Sequence, residues 1–283
     1  MTFSKPLTLL KLFTLLTFAC LLSACGGTND FAPVVTGVKV QSAQYGKTAT
    51  IYLGGKDLRS NLLVDTSGAC TNPTFASNSN SNTDTLVLNC VVAKTGDFPL
   101  VVQTAEGAAI YSTTLNVPLP QVALITAKGS ITVELDPTLA PISTNNFLSY
   151  VNKGFYRDTL FHRVIPNFVV QGGGYTTGMV KKTEQSAPIE LESNKGLSNV
   201  RGSLAMARTY LPNSATSEFY INLVNNVSLD YKNAANPGYA VFGKVVQGMD
   251  VVDAIAAEPT GVVGGFSDVP LSEIALSLAL QTK

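Results

Sequence analysis

The residues best suited to chemistry lie close together in residues 161–174, which read FHRVIPNFVVQGGG. The stretch holds the only histidine of the chain, His162, followed at once by Arg163. An apolar run that begins at Phe168 then leads to Gln171 and three glycines. A cation and an amide beside an aromatic surface can recognise and polarise a neutral amide. The stretch therefore predicts a site for a substrate of that kind.

His162 allows two interpretations, a general base and a structural side chain. Neighbouring side chains on a strand point to opposite faces, so His162 faces away from any pocket that Arg163 faces. One histidine cannot supply several metal ligands, and no G-x-S-x-G motif accompanies it. A buried, hydrogen-bonded structural histidine is the preferred interpretation. The glycines at 172–174 precede no Walker-type Lys-Ser/Thr, so a tight turn packed against the groove is predicted instead of a phosphate loop.

Residues 1–24 have the pattern of an export signal. Two lysines flank the start of an apolar run over residues 7–22, which is marginal for a membrane span. The run ends in Leu-Ser-Ala-Cys and resembles a bacterial lipobox, in which Cys25 becomes the lipidated first residue. This resemblance implies a lipidated tether over residues 25–33 and a membrane-anchored protein on the periplasmic face of the cell envelope. Gly26 favours the outer membrane of a Gram-negative cell. A plain secretory signal and an uncleaved anchor are the alternatives.

The cysteines agree with export. Cys20 lies within the signal and Cys25 is assigned to the lipid, which leaves Cys70 and Cys90. A pair of cysteines in an oxidising compartment predicts a disulfide, which would contribute about 3 kcal/mol in the chain-entropy model. A metal site is the alternative, but two cysteines and one distant histidine make a poor ligand set. No metal or organic cofactor is expected.

Composition narrows the class of partner. The chain has 19 basic and 19 acidic residues and no net charge, so it lacks the electrostatic footprint of a nucleic-acid-binding protein. A 45% hydrophobic content with 13% charged residues is typical of a folded, β-rich protein. We expect a monomer that contacts the membrane through its anchor.

A domain boundary is predicted at residues 118–120, where two prolines in three residues form a short, stiff linker. Residues 34–117 contain short β-type runs separated by turn signals, which predicts a small β-sandwich. Residues 45–58 resemble the opening of bacterial immunoglobulin-like surface domains, and this resemblance implies a spacer or docking module.

Residues 121–283 combine many strand-like runs with two helices. The first helix is predicted from residue 141, with Ser143 or Thr144 as its N-cap and Gly154 as its stop. The second contains Met249 and Val252 and ends before Pro259. Many strands with two helices predict a mainly β fold, namely a closed antiparallel β-barrel capped at its ends.

Five sequence blocks now carry a family resemblance. They are GFY at 154–156, FHRVIPNFVVQGGG at 161–174, GSLAMART at 202–209, SATSEFYIN at 214–222 and YAVFGKVVQGMDVVD at 239–253. Together and in this order they resemble a cyclophilin, a peptidyl-prolyl cis–trans isomerase, of the bacterial type. The resemblance spans residues 121–282 and implies that proline-containing polypeptides are the substrates.

The resemblance also implies roles for individual residues. Arg163 would polarise the prolyl nitrogen, and Phe168 and Gln171 would act with it. The substrate groove would be formed by Val169, Met206, Ala207, Glu218, Tyr220, Ser228, Leu229 and Tyr239. A surface salt bridge is the alternative for Arg163.

Three of these groove positions depart from the family pattern. Glu218 replaces a glutamine and could pair with Arg163, Tyr220 adds a hydroxyl at the pocket floor, and Ser228 replaces a rim aromatic. The preferred function is an isomerase that assists the folding of exported proteins. A weakly active or inactive binding or chaperone module, and a purely structural surface lipoprotein, are the alternatives.

Overall fold

The computed structural model describes residues 32–76 and 83–283. The predicted signal, Cys25 and nearly all of the predicted tether lie outside these residues. The strands of the N-terminal part are β1 Val34–Gln41, β2 Thr48–Leu58, β3 Leu63–Asp65, β4 Cys70–Phe75, β5 Thr83–Val92, β6 Gly96–Gln103 and β7 Ala109–Val117.

The C-terminal part follows from residue 121. Its strands are β8 Gln121–Thr126, β9 Gly129–Leu135, β10 Thr159–Leu160, β11 Arg163–Ile165, β12 Val169–Gly172, β13 Tyr175–Thr176, β14 Val180–Lys181, β15 Ser203–Met206, β16 Phe219–Asn222, β17 Val241–Gln247, β18 Thr260–Val263, β19 Phe266–Pro270 and β20 Ala275–Gln281. Its helices are α1 Pro141–Asn152 and α2 Met249–Ala256, and two 3₁₀ turns span Thr177–Met179 and Val227–Leu229.

The N-terminal strands form two sheets around a core of their own. One sheet has the order β1-β2-β5-β4 and the other the order β3-β6-β7. Alternate residues of β2, among them Ile51 and Leu53, are fully buried, as expected for a strand with one face on a core. Cys70 and Cys90 form a disulfide with their Cα atoms 5.4 Å apart. It joins the paired strands β4 and β5.

The predicted closed barrel is wrong. Nine strands form one curled antiparallel sheet in the order β10-β20-β8-β9-β17-β15-β16-β12-β11, and its edge strands β10 and β11 do not pair with each other. Only Phe161 and His162 lie between these two edge strands in the chain. The edges are therefore joined by the chain itself and not by a ladder of backbone hydrogen bonds. One long hydrogen bond, from Gly173 N to Leu160 O at 3.4 Å, crosses this gap.

The curled sheet has two apolar faces. Leu204, Phe219 and Phe242 point into the main core, together with Phe147 of α1. Their chain neighbours Ala205, Tyr220 and Val241 form a separate small apolar cluster on the opposite face. The period-two alternation of a strand therefore supplies both the interior of the fold and the floor of a surface site.

The predicted N-cap of α1 is also wrong. The cap position is Ala140, which offers no side-chain acceptor, and Ser143 and Thr144 lie buried inside the helix. Glu192, which is 4% exposed, supplies the acceptor instead. Its carboxylate accepts the N–H groups of Ile142 at 3.2 Å and Ser143 at 2.6 Å. These groups have no partner within a helix, and a negative charge beside them is favourable.

We expect Glu192→Ala to lower the free energy of unfolding by about 2 kcal/mol, because two N–H groups lose their buried acceptor. Thermal unfolding followed by circular dichroism measures the change. Glu190→Ala is the matched control, since Glu190 is exposed two residues away. Equal melting temperatures for the two variants would contradict this role of Glu192.

Tyr45 links the N-terminal sheets to the core of the C-terminal part. It is 7% exposed and packs within the same apolar cluster as Phe147. Its hydroxyl donates to Asn145 Oδ1 of α1 at 2.9 Å, and its carbonyl accepts the side-chain amide of Gln281 at 2.9 Å. The described chain from residue 33 onward clusters as one compact unit.

Candidate active site

A row of paired residues crosses the outer face of the curled sheet. Arg163 pairs with Gln171, Gln171 with Tyr220, Tyr220 with Ala205, and Ala205 with Val241. Directly paired residues on one face lie within contact distance of each other. The strand register therefore places a cation, an amide and an aromatic ring side by side.

A surface pocket of about 250 Å³ lies over this row. It is lined by Arg163, Phe168, Val169, Gln171, Ala207, Arg208, Tyr220, Leu229 and Tyr239. Most of the predicted groove residues are thus brought together around one cavity. Arg163 and Arg208 are its charged side chains, Gln171 is polar, and the remaining walls are apolar or aromatic.

Met206, Glu218 and Ser228 do not line this pocket. Met206 is 2% exposed and belongs to the main core, because it alternates with Ala205 and Ala207 along β15. Glu218 lies behind Gln171, held by hydrogen bonds to protein groups. Ser228 lines a neighbouring cavity.

Arg163 is held from two sides. Its Nη1 donates to Gln171 Oε1 at 3.3 Å, and its Nε lies 4.0 Å from the Asp268 carboxylate on β19. Both charged side chains of this pair are about 40% exposed (40% and 43%), so the ion pair contributes little stability. Within the described residues the guanidinium keeps Nη2 without a hydrogen-bond partner.

Glu218 does not contact Arg163, contrary to the pairing considered from the sequence. Its Oε2 accepts the Gln171 amide at 2.9 Å and lies 3.3 Å from His162 Nε2. Burial alone would raise the pKa of Glu218, but the hydrogen bonds and charge of His162, the Gln171 bond and the charge of Lys181 hold it below the usual value. Glu218 is therefore ionised at neutral pH.

The ionised carboxylate fixes the direction of the Gln171 amide. A carboxylate accepts hydrogen bonds and cannot donate one. Gln171 therefore turns its NH₂ toward Glu218 and its carbonyl oxygen toward Arg163. Gly174 gives Glu218 its space, since a Cβ at that position would lie 2.6 Å from Glu218 Cγ.

His162 is buried at 5% exposure and packs against Tyr175, with ring centroids 4.7 Å apart and the ring planes tilted by 55°. It lines no part of the pocket that Arg163 faces. The structure thus shows a buried histidine away from the Arg163 pocket, whose Nε2 lies beside the Glu218 carboxylate and whose Nδ1 has no hydrogen-bond partner among the described residues.

The Tyr220 hydroxyl points away from the pocket into a buried polar network. It donates to Asn199 Oδ1 at 2.8 Å, and Asn199 is fully buried. The same oxygen accepts Asn222 Nδ2 at 3.2 Å, while the Asn199 amide donates to Asp230 at 2.9 Å. Burial raises the pKa of Tyr220 far above its ordinary value, so the hydroxyl stays protonated. The ring alone faces a ligand.

We expect Tyr220→Phe to lower the free energy of unfolding by about 1 kcal/mol, the typical net contribution of one hydrogen bond. The apolar ring remains, so kcat/KM on a prolyl peptide should change by less than about twofold. Parallel melting and turnover measurements check both statements. A tenfold loss of turnover without loss of stability would show that the hydroxyl contacts the substrate.

Three side chains of this region were missed from the sequence. Arg208 directly follows Ala207 in a block that was recognised, and its charge beside the groove was an available signal. Asp268 and Asn199 gave no local signal, because each reaches the site through long-range folding.

The described part of the chain holds no cluster of His, Cys, Asp and Glu side chains that could bind a metal. Within the same residues, no helix has the length and apolar character needed to cross a membrane.

Comparison with known proteins places this geometry in a family. Residues 121–277 match the family model described as cyclophilin type peptidyl-prolyl cis-trans isomerase/CLD. A peptidyl-prolyl cis-trans isomerase of Acinetobacter baylyi is 50% identical over 162 residues, 57% of this chain and 85% of the relative. Peptidyl-prolyl cis-trans isomerase B of Escherichia coli is 46% identical, over 53% of this chain and 93% of the relative. A crystal structure of a Cryptosporidium parvum cyclophilin type isomerase matches with a TM-score of 0.48 at 25% identity, covering 58% of this chain and 98% of that one.

The matched region contains both helices, the whole pocket around Arg163 and the curled sheet except for the last residues of β20. The chain therefore belongs to the cyclophilin family of peptidyl-prolyl cis–trans isomerases.

Proposed function

We propose that this protein catalyses cis–trans isomerisation of Xaa-Pro bonds in exported polypeptides, with Arg163 as the group that stabilises the twisted amide. Amide resonance gives the uncatalysed step a barrier of about 18–20 kcal/mol. As the bond twists, the prolyl nitrogen loses its resonance and gains a lone pair that can accept a hydrogen bond. No nucleophile and no proton transfer are needed.

The observation that carries the proposal is the orientation of Arg163 at the edge of the apolar pocket. Gln171 accepts a hydrogen bond from Nη1, and Asp268 lies 4.0 Å from Nε, beyond hydrogen-bond distance, so Nη2 is left for a ligand. A guanidinium remains protonated at all relevant pH values, so it can donate throughout the reaction. A donor fixed before the reaction stabilises the twisted state more than either planar state, which is the condition for acceleration.

The apolar walls receive the proline ring in this proposal. Val169 and Tyr220 form the buried floor, with Phe168 and Leu229 packed against them. Ala207 and Tyr239 extend the groove. Gln171 has both ends of its amide engaged by protein groups, so we assign it a positioning role toward Arg163. Glu218 holds the Gln171 amide in place and so acts on Arg163 only indirectly.

A protease-coupled assay tests the proposal. The mature protein should convert the cis form of a Xaa-Pro peptide to the trans form faster than the uncatalysed process, which takes tens of seconds. Glu218 in place of the family's glutamine favours one alternative, a binding or chaperone module with little turnover. That alternative predicts peptide binding by calorimetry without acceleration, and a structural lipoprotein predicts neither.

We also propose that Cys25 carries a lipid that holds the protein on the periplasmic face of the envelope, as a monomer. The lipobox-like ending of the apolar run supports this location, and the Cys70–Cys90 disulfide suits an oxidising compartment. More than one acyl chain is needed for stable anchoring, because a single chain binds membranes reversibly. Cys25→Ala should move the protein from the membrane fraction to the soluble periplasmic fraction. Retention in the membrane would contradict the anchor.

A further inference from the structure

A second cavity lies beside the proline pocket. It has a volume of about 330 Å³ and shares three walls with that pocket, namely Arg208, Leu229 and Tyr239. Ser228 and Lys232 lie on its far side. The mechanism proposed for Arg163 makes no use of this cavity.

The shared ridge between the two cavities is rigid. The Arg208 guanidinium donates to Gly238 O through Nε at 3.0 Å and Nη2 at 2.8 Å, and to Thr209 O through Nη1 at 2.9 Å. It also lies over the Tyr239 ring, 4.5 Å from the centroid. The second cavity thus keeps one wall in place without a ligand.

The loop on the far side is also held by internal bonds. Lys232 N donates to Asn236 O at 3.0 Å, and Ala235 N donates to Asn233 Oδ1 at 3.0 Å. Gly238 allows the chain to fold back at this point, because a Cβ there would lie 2.5 Å from Leu229 O. A cavity formed in advance binds a ligand at a smaller ordering cost than one that must first assemble.

The charges around the cavity favour an anion. Arg208 and Lys232 are positive and Asp230 is negative. Asp230 accepts hydrogen bonds from Asn199 and Ser198, so its carboxylate is already engaged on the side of the buried network. Lys232 is exposed and makes no ion pair with any other described residue. Its ammonium is therefore available to a ligand.

The spacing of the cavities matches an extended peptide. Side chains of an extended chain alternate between faces, so a residue two positions from the proline points to the same side as the proline. Two residues of extended chain cover about 7 Å. A peptide seated in the proline pocket can therefore place that residue across the Arg208 ridge.

We propose that the second cavity is a specificity subsite for an acidic side chain two positions from the isomerised proline. The inference rests on the proposed function and narrows the substrate class to acidic, proline-containing segments. Lys232 would form the ion pair with the acidic side chain, while Arg208 forms the ridge between the two cavities.

The test compares peptides that differ in one side chain. Glu, Ala or Lys is placed two residues before or two residues after the proline, and cis–trans exchange is measured by NMR magnetisation transfer, without a protease. At low salt the wild type should prefer Glu over Lys in kcat/KM by about threefold, the size expected for one exposed charge pair. The preference should fall at high salt.

Two charge-reversed variants complete the test. Lys232→Glu should reverse the preference and leave turnover of the Ala peptides unchanged. Lys56→Glu, at an exposed position of β2 in the N-terminal sheets, makes the same change in net charge and should keep the wild-type preference. An equal kcat/KM for the Glu and Lys peptides in both positions would overturn the subsite. So would an unchanged preference in Lys232→Glu.

Failure of the subsite and failure of the proposed function have different signatures. If the wild type turned over the Ala peptides without charge preference, the subsite alone would fail. If it turned over none, the proposed function would fail. Peptide affinities from calorimetry on the same set would still decide the subsite, because Kd for the Glu peptide should be about threefold lower than for the Lys peptide.

Discussion

Arg163→Ala is expected to lower kcat/KM for a prolyl peptide about 100-fold, the size seen when a fixed donor to a transition state is removed. The reason is that no other group of the pocket is placed beside Arg163 to replace its donation, since Arg208 is engaged by three backbone carbonyls. The melting temperature should change little, because the Arg163 side chain is 40% exposed. Protease-coupled turnover and circular dichroism on the same preparations measure both quantities.

Two further variants define the role of Arg163. Arg163→Lys keeps the charge but loses the planar fork, so its turnover should lie between the wild type and Arg163→Ala. Arg157→Ala removes an exposed arginine elsewhere in the same domain and should behave as the wild type. Turnover by Arg163→Ala within about threefold of the wild type would remove Arg163 from the mechanism.

Gly173→Ala is expected to lower the free energy of unfolding by about 3 kcal/mol through backbone strain and crowding together. Gly173 has a φ of +89°, and a Cβ there would lie 2.9 Å from both Ser217 O and the Tyr156 ring, and 3.1 Å from the Phe219 ring. Neither the backbone oxygen nor the packed rings can move away cheaply. For a chain of this size the melting temperature should fall by roughly 6–12 °C.

Gly178→Ala separates strain from crowding. Gly178 has a φ of +74°, but a Cβ there would meet nothing within 4 Å. This variant should lose only about 1–2 kcal/mol, the cost of a left-handed backbone for a residue with a side chain. Equal melting temperatures for the two variants would show that crowding of a Cβ at Gly173 against the rings does not contribute to the loss of stability.

The local elements of this fold could be predicted from the sequence, but its closure could not. Turn signals and alternation predicted many of the strands of both parts, though not the last three strands of the chain, and apolar spacing predicted the two helices. Whether the two edge strands pair depends on the curvature of the whole sheet, and no local sequence pattern predicts that curvature. The cap of α1 shows the same limit, because Glu192 lies about fifty residues further along the chain (|i−j| = 50 from Ile142).

Strand alternation predicted the positions of the site residues better than local patterns predicted the closure of the sheet. Alternation placed Arg163 and His162 on opposite faces, and the recognised blocks brought most of the groove together. Met206 was misplaced although the same alternation, applied to β15, would have put it in the core. Glu218 could not be placed in advance, because its partners His162 and Gln171 come from two other segments. Asp268 reaches Arg163 from a hairpin near the C-terminus.

The position of Tyr45 matters for any attempt to join the family-matched part of this chain to other protein segments. The family match begins at residue 121, yet the apolar core of the matched part includes a ring that comes from outside it. Cutting the chain at residue 121 would therefore remove one buried ring from that core. A chimaera that joined residues 121–283 to a different N-terminal segment would lose the contacts of Tyr45 with Asn145 and Gln281, and its stability relative to the full chain would measure what those contacts contribute.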